Sequence, residues 1–225
     1  MKLPTAWSYS SLSKYEECPA KYKYGRIDKL PDPQGPAAAR GEMLHARGEQ
    51  YLLGKIKEIP AGYEHFGAPL RALRLMDAVP EIELGVTAEW KPTGFFAPDV
   101  WLRMKLDVLV PPEGKDETAF VDFKSGRYYD SHPEQAEIYA LGSAVLHPKL
   151  KAVHAEFWYI DSGDVQAWTF DVQPRALSKL KKKWAARAAL ALDDRAWNPT
   201  PSAKACKYCA FRTDRGGPCQ SWKLA

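Results

Sequence analysis

Trp101-Leu102-Arg103-Met104-Lys105-Leu106-Asp107 and Ala119-Phe120-Val121-Asp122-Phe123-Lys124-Ser125-Gly126 are two strand-like runs that place charges among apolar residues. An extended strand puts residues i and i+2 on one face, so Asp122 and Lys124 project together from a segment whose other positions are apolar. Pro111-Pro112-Glu113-Gly114 separates the runs and reads as a turn. The resulting hairpin sets Asp107 beside Asp122, and Lys124 converges on both. Paired carboxylates hold Mg²⁺ or Mn²⁺ through their oxygens, while a nearby lysine can orient a water and neutralise charge growing on a phosphate. The alternative is an ion pair on a solvent-facing strand.

Composition sets the frame for these two strands. The 225 residues, 45% hydrophobic and 27% charged, suit a single domain over 1–225 with a full core. A surplus of 32 Lys and Arg over 28 Asp and Glu leaves a formal charge of +4, which permits a polyanionic partner without demanding one. Met1-Lys2-Leu3-Pro4-Thr5-Ala6-Trp7-Ser8 lacks the apolar stretch of a secretory signal, and no segment reaches the length of a membrane span. The expectation is a cytoplasmic protein without a membrane partner.

Cys18 stands near one end of the chain, and Cys206, Cys209 and Cys219 near the other. In a reducing compartment clustered thiols bind metal more often than they form disulfides, and Cys206-Lys207-Tyr208-Cys209 has the spacing that lets both sulfurs reach one centre. Cys219 can add a third ligand. A four-sulfur site then requires Cys18, so that a metal centre would join the two ends. Zn²⁺ and an iron–sulfur cluster both fit four thiolates.

Around these landmarks the pattern alternates between helix and strand. Ser8-Tyr9-Ser10-Ser11-Leu12 opens a helix with serines available for capping, which Cys18-Pro19 ends or kinks. After Pro31-Asp32-Pro33-Gln34-Gly35-Pro36, a helix is expected from about Ala37 to Leu53, carrying His45, and another near Pro69 to Val79. Val86-Thr87-Ala88-Glu89-Trp90 reads as a third strand of a meander, with Glu89 either a further acid for the metal site or a residue facing solvent. Glu134 to Leu146 is helical, and Gln135 and Tyr139 share one of its faces. Val153 to Ile160 and Val165 to Phe170 flank Asp161-Ser162-Gly163-Asp164 as a second hairpin, before a basic amphipathic helix from Pro174 to Leu192. This order describes an α/β protein with a central mixed sheet flanked by helices.

Taken together, these segments resemble the PD-(D/E)XK nuclease superfamily, in particular the RecB-type nuclease domains, including the AddB iron–sulfur nuclease and the CRISPR adaptation nucleases. Ser8 to Leu12 with Tyr15, Cys18-Pro19 and Tyr22 is similar to the family's N-terminal motif, and Gly41-Glu42-Met43-Leu44-His45 to its Gly-x-x-x-His segment. Asp107 resembles the first catalytic acid, Asp122-Phe123-Lys124 the Asp/Glu-x-Lys element, and Gln135-Ala136-Glu137-Ile138-Tyr139 the Gln-x-x-x-Tyr helix. The resemblance implies a restriction-endonuclease-like core over about 37–192, with cluster-binding ends at 1–30 and 200–225. It further implies His45, Asp107, Asp122 and the Phe123 carbonyl as ligands of one or two Mg²⁺ or Mn²⁺ ions, and Asp107, Asp122 and Lys124 as the catalytic set. Gln135 and Tyr139 would lie beside the DNA path. Cys18, Cys206, Cys209 and Cys219 are similar to the ligands of a [4Fe–4S] cluster, although the long Ala210 to Pro218 stretch keeps Zn²⁺ as an alternative.

The activity implied is metal-dependent hydrolysis of DNA, as an exonuclease, in recombination, repair or processing. The partners would be recombination, repair or phage replication proteins. Arg103, Lys105, Arg127 and the run Lys179 to Lys183 are candidates for phosphate contacts. A competing expectation is a catalytically silent DNA-binding or recombination scaffold with a structural metal cluster.

Overall fold

Strands β1 (Val79–Val86), β2 (Pro92–Thr93), β3 (Leu102–Val110), β4 (Glu117–Lys124), β5 (Ala152–Tyr159) and β6 (Asp164–Asp171) form one sheet in the order β2-β1-β3-β4-β5-β6. The computed structural model describes residues 3–33, 35–112 and 114–225, so Gln34 of the Pro31–Pro36 stretch and Glu113 of the expected turn lie outside the described residues. Every neighbouring pair is antiparallel except β4 and β5. Parallel neighbours need a crossover, here supplied by α5 (His132–Leu146) between them.

Helices cover both faces of the sheet. On one side α5 and α6 (Pro174–Asp193) enclose a core that includes Phe120, Phe157, Leu141 and Trp184, with Trp7 and Leu12 from the N-terminal segment. On the other, α3 (Pro36–Leu52) and α4 (Gly67–Leu75) place Leu44, Tyr51, Leu70 and Leu73 over Val108, Val121, Phe123 and Trp158. Burial on both faces is why β4 reads as a nearly continuous apolar run. Its alternation sends Phe123 toward α3 and leaves Asp122 and Lys124 on the α5 side.

Local signals set most boundaries. Ser8 and Ser11 exchange hydrogen bonds in a capping box that starts α1 (Tyr9–Glu17). Proline at the first helical position restarts the chain as α2 (Pro19–Tyr22), so Cys18 sits at the break. Glycines let α3 press onto the sheet. A Cβ on Gly48 would stand 2.6 Å from the Tyr63 hydroxyl and 2.8 Å from the Phe123 ring, and one on Gly41 would stand 3.0 Å from Ser125 Oγ. That close approach brings His45 to the end of β4.

The expected strand over Val86 to Trp90 is displaced. The strand is β1, ending at Val86, and Thr87 to Trp90 form a turn in which Trp90 N–H donates to Thr87 O and Trp90 takes a positive φ of 62°. Pro80, Gly85 and the acids Glu81 and Glu83 weaken the β signal of this segment, yet pairing with β3 overrides their propensity. Glu89 is therefore exposed in that turn, the solvent-facing alternative.

The two ends of the chain pack together. Thr200 Oγ1 donates to Glu17 O, Tyr24 and Phe211 rings lie 5.5 Å apart, and α7 (Ala203–Lys207) places Ala205 against Cys18 and Ala20. Among the described residues, no helix is long and apolar enough to cross a membrane.

Candidate active site

The site lies where β3 and β4 part. Their paired register runs Val110↔Ala119, Leu109↔Phe120 and Val108↔Val121, which puts Asp107 opposite Asp122 as the hairpin predicts. Instead of a further backbone bond, the Phe123 N–H donates to Asp107 Oδ2 at 2.7 Å. The carboxylate thus replaces a backbone acceptor and is buried at the divergence. Its other oxygen, Oδ1, lies 3.2 Å from His45 Nδ1 on α3.

Asp122 is 3% exposed, a cost that a carboxylate bears only with compensation. Lys124 Nζ lies 2.6 Å from its Oδ2, and Gln135 Nε2 donates to Oδ1 at 3.4 Å. Gln135 also accepts from Lys124 Nζ at 2.9 Å and donates to the Tyr139 hydroxyl at 3.1 Å, so one amide orients the acid, the lysine and the phenol. The ammonium sits 4.5 Å from the centre of the Phe157 ring. Oδ2 of Asp122 has charge compensation from Lys124 but accepts no hydrogen bond of good geometry. A buried, underused carboxylate oxygen suits a cation ligand.

Charge and burial perturb this group of residues. Burial raises the Asp122 carboxyl to about 6; Lys124 opposes that rise and Asp107 adds to it. Burial acts to lower the His45 pKa, but its contact with Asp107 and the charges of Asp122 and Glu81 outweigh it and hold the ring above its usual value. Burial, with a contribution from Lys124, pushes His132 down to about 4, keeping a neutral ring 2.6 Å from the Tyr159 hydroxyl.

Glu81 is the residue that motif reasoning missed. It faces Asp107 in the β1–β3 register, between the pairs Pro80↔Val108 and Ile82↔Leu106, and takes a left-handed φ of 54°. Single donor atoms of His45, Glu81 and Asp107 all lie within 4.8 Å of one another, the one such group among the described residues. Imidazole nitrogen and two carboxylates are a donor set suited to a divalent ion such as Mn²⁺ or Mg²⁺. Lys105 forms an ion pair with Glu81. These residues open onto a groove of about 570 Å³ that also carries Glu42 and Glu49.

Other expected phosphate contacts lie elsewhere. Arg127 stacks on Tyr129, and Lys183 binds Glu137 on the outer side of α5. The run Lys179 to Lys183 lines neither this groove nor the cavity beside Gln135 and Tyr139; its Lys179, Lys182 and Lys183 are exposed on α6.

The four cysteines are free thiols lining a single cavity between the chain ends, walled also by Lys21 and Arg212. No three of their sulfurs fall within 4.8 Å of one another. Burial raises the Cys209 thiol above its usual pKa.

The protein is an α/β fold, a mixed sheet with helices on both faces, bearing Asp107 and Asp122-Phe123-Lys124 on adjacent diverging strands. The PD-(D/E)XK nuclease superfamily model matches residues 6–213, and the chain belongs to that superfamily. In structure it is similar to a provisionally named exonuclease from Eubacterium rectale, with a TM-score of 0.51 at 8% identity over 98% of this chain and 93% of the other. It is also similar to SSO0001, with a TM-score of 0.47 at 16% identity over 94% of this chain and 86% of that one. No curated protein sequence matches the chain.

Proposed function

We propose that the chain, as a single nuclease domain over 1–225, is a divalent-metal-dependent deoxyribonuclease acting as an exonuclease. The observation that carries this reading is the convergence of His45, Asp107, Asp122 and Lys124 at the parting of β3 and β4. His45, Glu81 and Asp107 would hold the cation, with Asp122 and the Phe123 carbonyl as further oxygen ligands. When bound, Mg²⁺ or Mn²⁺ supplies Lewis-acid polarisation of a phosphoryl oxygen and a lowered pKa for water.

The protein's own part is positioning and charge. Lys124, held by Asp122 and Gln135 over Phe157, presents a fixed ammonium to the negative charge that grows on the phosphate. Gln135 keeps that ammonium in place, and Tyr139 fixes Gln135 in turn. Asp107 locks the end of β4 through the Phe123 amide while its second oxygen orients His45.

The cysteine cavity supports a [4Fe–4S] cluster as a staple between residues 1–30 and 200–225. Four thiols that share one cavity are the donor set that such a cluster, or Zn²⁺ in its place, would take. Lys21 and Arg212 also line the cavity, each ion-paired with a carboxylate, Glu17 and Asp214. A cytoplasmic setting, where thiols stay reduced, suits this chemistry, as do partners from DNA recombination, repair or processing.

End-labelled linear and circular DNA, single- and double-stranded, digested with Mg²⁺ or Mn²⁺ by wild type, Asp122→Ala and Lys124→Ala, tests the nuclease reading. Wild-type rates from both folded variants would refute the site, and degradation of circles would refute exonuclease action. Visible absorption and metal analysis of anaerobically prepared protein test the cluster; one zinc per chain without iron overturns it.

A further inference from the structure

Lys105 lines a second cavity, of about 400 Å³, whose wall holds Arg26, Arg103, Phe95 and Phe96 and reaches Gln135 and Tyr139. No carboxylate belongs to that wall. Among the described residues, neither Arg26 nor Arg103 has an ion-pair partner, so their charge is available to a polyanion.

Phe96 is 80% exposed although it is among the largest apolar side chains. Its neighbour Phe95 is held in place. Arg103 Nε donates to Phe95 O at 2.7 Å and its guanidinium lies 5.9 Å from the centre of the Phe95 ring, while Phe95 meets Phe96 edge-to-face at 5.0 Å. The result is an uncovered aromatic ring, Phe96, against an anchored one, Phe95, beside the unpaired cations. Apolar rings with open π-faces next to guanidinium groups are how proteins hold unpaired bases and their phosphates. A duplex keeps its bases stacked inside and offers no such face.

We propose that Phe96, backed by Phe95 and flanked by Arg26 and Arg103, is a stacking subsite for an unpaired base of single-stranded DNA. The cavity ends at Gln135 and Tyr139, which are bonded to the Lys124 and Asp122 pair, so the strand held there leads to that pair. The link to Lys124 rests on the nuclease reading, whereas the binding of the base does not.

Fluorescence anisotropy with dye-labelled oligothymidylate in EDTA measures binding without cleavage. A dye-labelled blunt duplex is measured directly, and inorganic polyphosphate, a base-free polyanion, by competition. Phe96→Ala weakens oligothymidylate binding by about five- to hundredfold and leaves duplex and polyphosphate unchanged, while Phe96→Trp keeps the affinity. Arg26→Ala and Arg103→Ala each reduce the slope of log affinity against log salt by about 0.7. Unchanged oligothymidylate affinity in Phe96→Ala, or an equal loss for polyphosphate, overturns the subsite. A wild type that binds through Phe96 but cleaves no DNA refutes the nuclease reading and keeps the subsite; one that cleaves while Phe96→Ala binds normally does the reverse.

Discussion

Two hollows share Lys105 and are otherwise opposites. One gathers Glu42, Glu49, Glu81 and Asp107 around His45; the other sets Arg26 and Arg103 among Phe95, Phe96 and Tyr139. Acidic groups crowded together repel one another and call for a cation, whereas unpaired cations beside open rings call for a polyanion with flat bases. The proposed reaction would use both environments, and alternation along β3 sets them side by side. Arg103, Lys105 and Asp107 lie two apart, so the arginine of one hollow, the shared lysine and the acid of the other follow one another on a single strand.

The largest effect separates the hollows by function. Asp107→Ala lowers cleavage by about a thousandfold or more, since it removes a ligand and the anchor of the Phe123 amide, yet it leaves oligothymidylate binding in EDTA at the wild-type level. Equal loss of binding would dissolve the distinction. Next comes Glu81→Gln, which weakens Mn²⁺ binding by at least about tenfold in calorimetric titration if Glu81 belongs to the donor group. Unchanged affinity would return the site to His45, Asp107 and Asp122.

Stability gives a third test. The Asp122 pKa is raised to about 6 in the folded chain, so its favourable contribution is complete below the unfolded value near 4 and disappears as pH rises through 6. In EDTA, Asp122→Asn therefore melts above wild type at pH 8, and the difference shrinks toward pH 4. The smallest effect falls on the shared residue. Lys105→Met frees Glu81 and tightens Mn²⁺ binding a few-fold, while it weakens oligothymidylate binding a few-fold. Changes of the same sign in both assays would mean that the two hollows are one site.

Much of the candidate site was legible in the chain. Asp107, Asp122 and Lys124 stand out because charge on a buried strand is unusual, and His45, Gln135 and Tyr139 follow from motif spacing on helices whose bounds differ little from expectation. Glu81 was not legible. Its segment carries proline, glycine and two acids, so periodicity points to the neighbouring Val86 to Trp90 instead, and only the register with β3 reveals that it faces Asp107. Arg103 and Lys105 were legible as candidates for phosphate contacts, but Arg26 and Phe96 come from a π-helical turn and a loop, where no period assigns a face.

By itself, the sequence determined the alternation of helices and strands, the charged trio on the central hairpin, and the recurrence of thiols at both ends. These are local properties, set by side-chain period, turn residues and spacing. Tertiary structure alone decided that Glu81 completes a donor group, that Phe96 stays uncovered beside two unpaired arginines, and that four cysteines line one cavity. Each of those depends on which distant segments meet, and strand register and helix packing, rather than local pattern, make that choice.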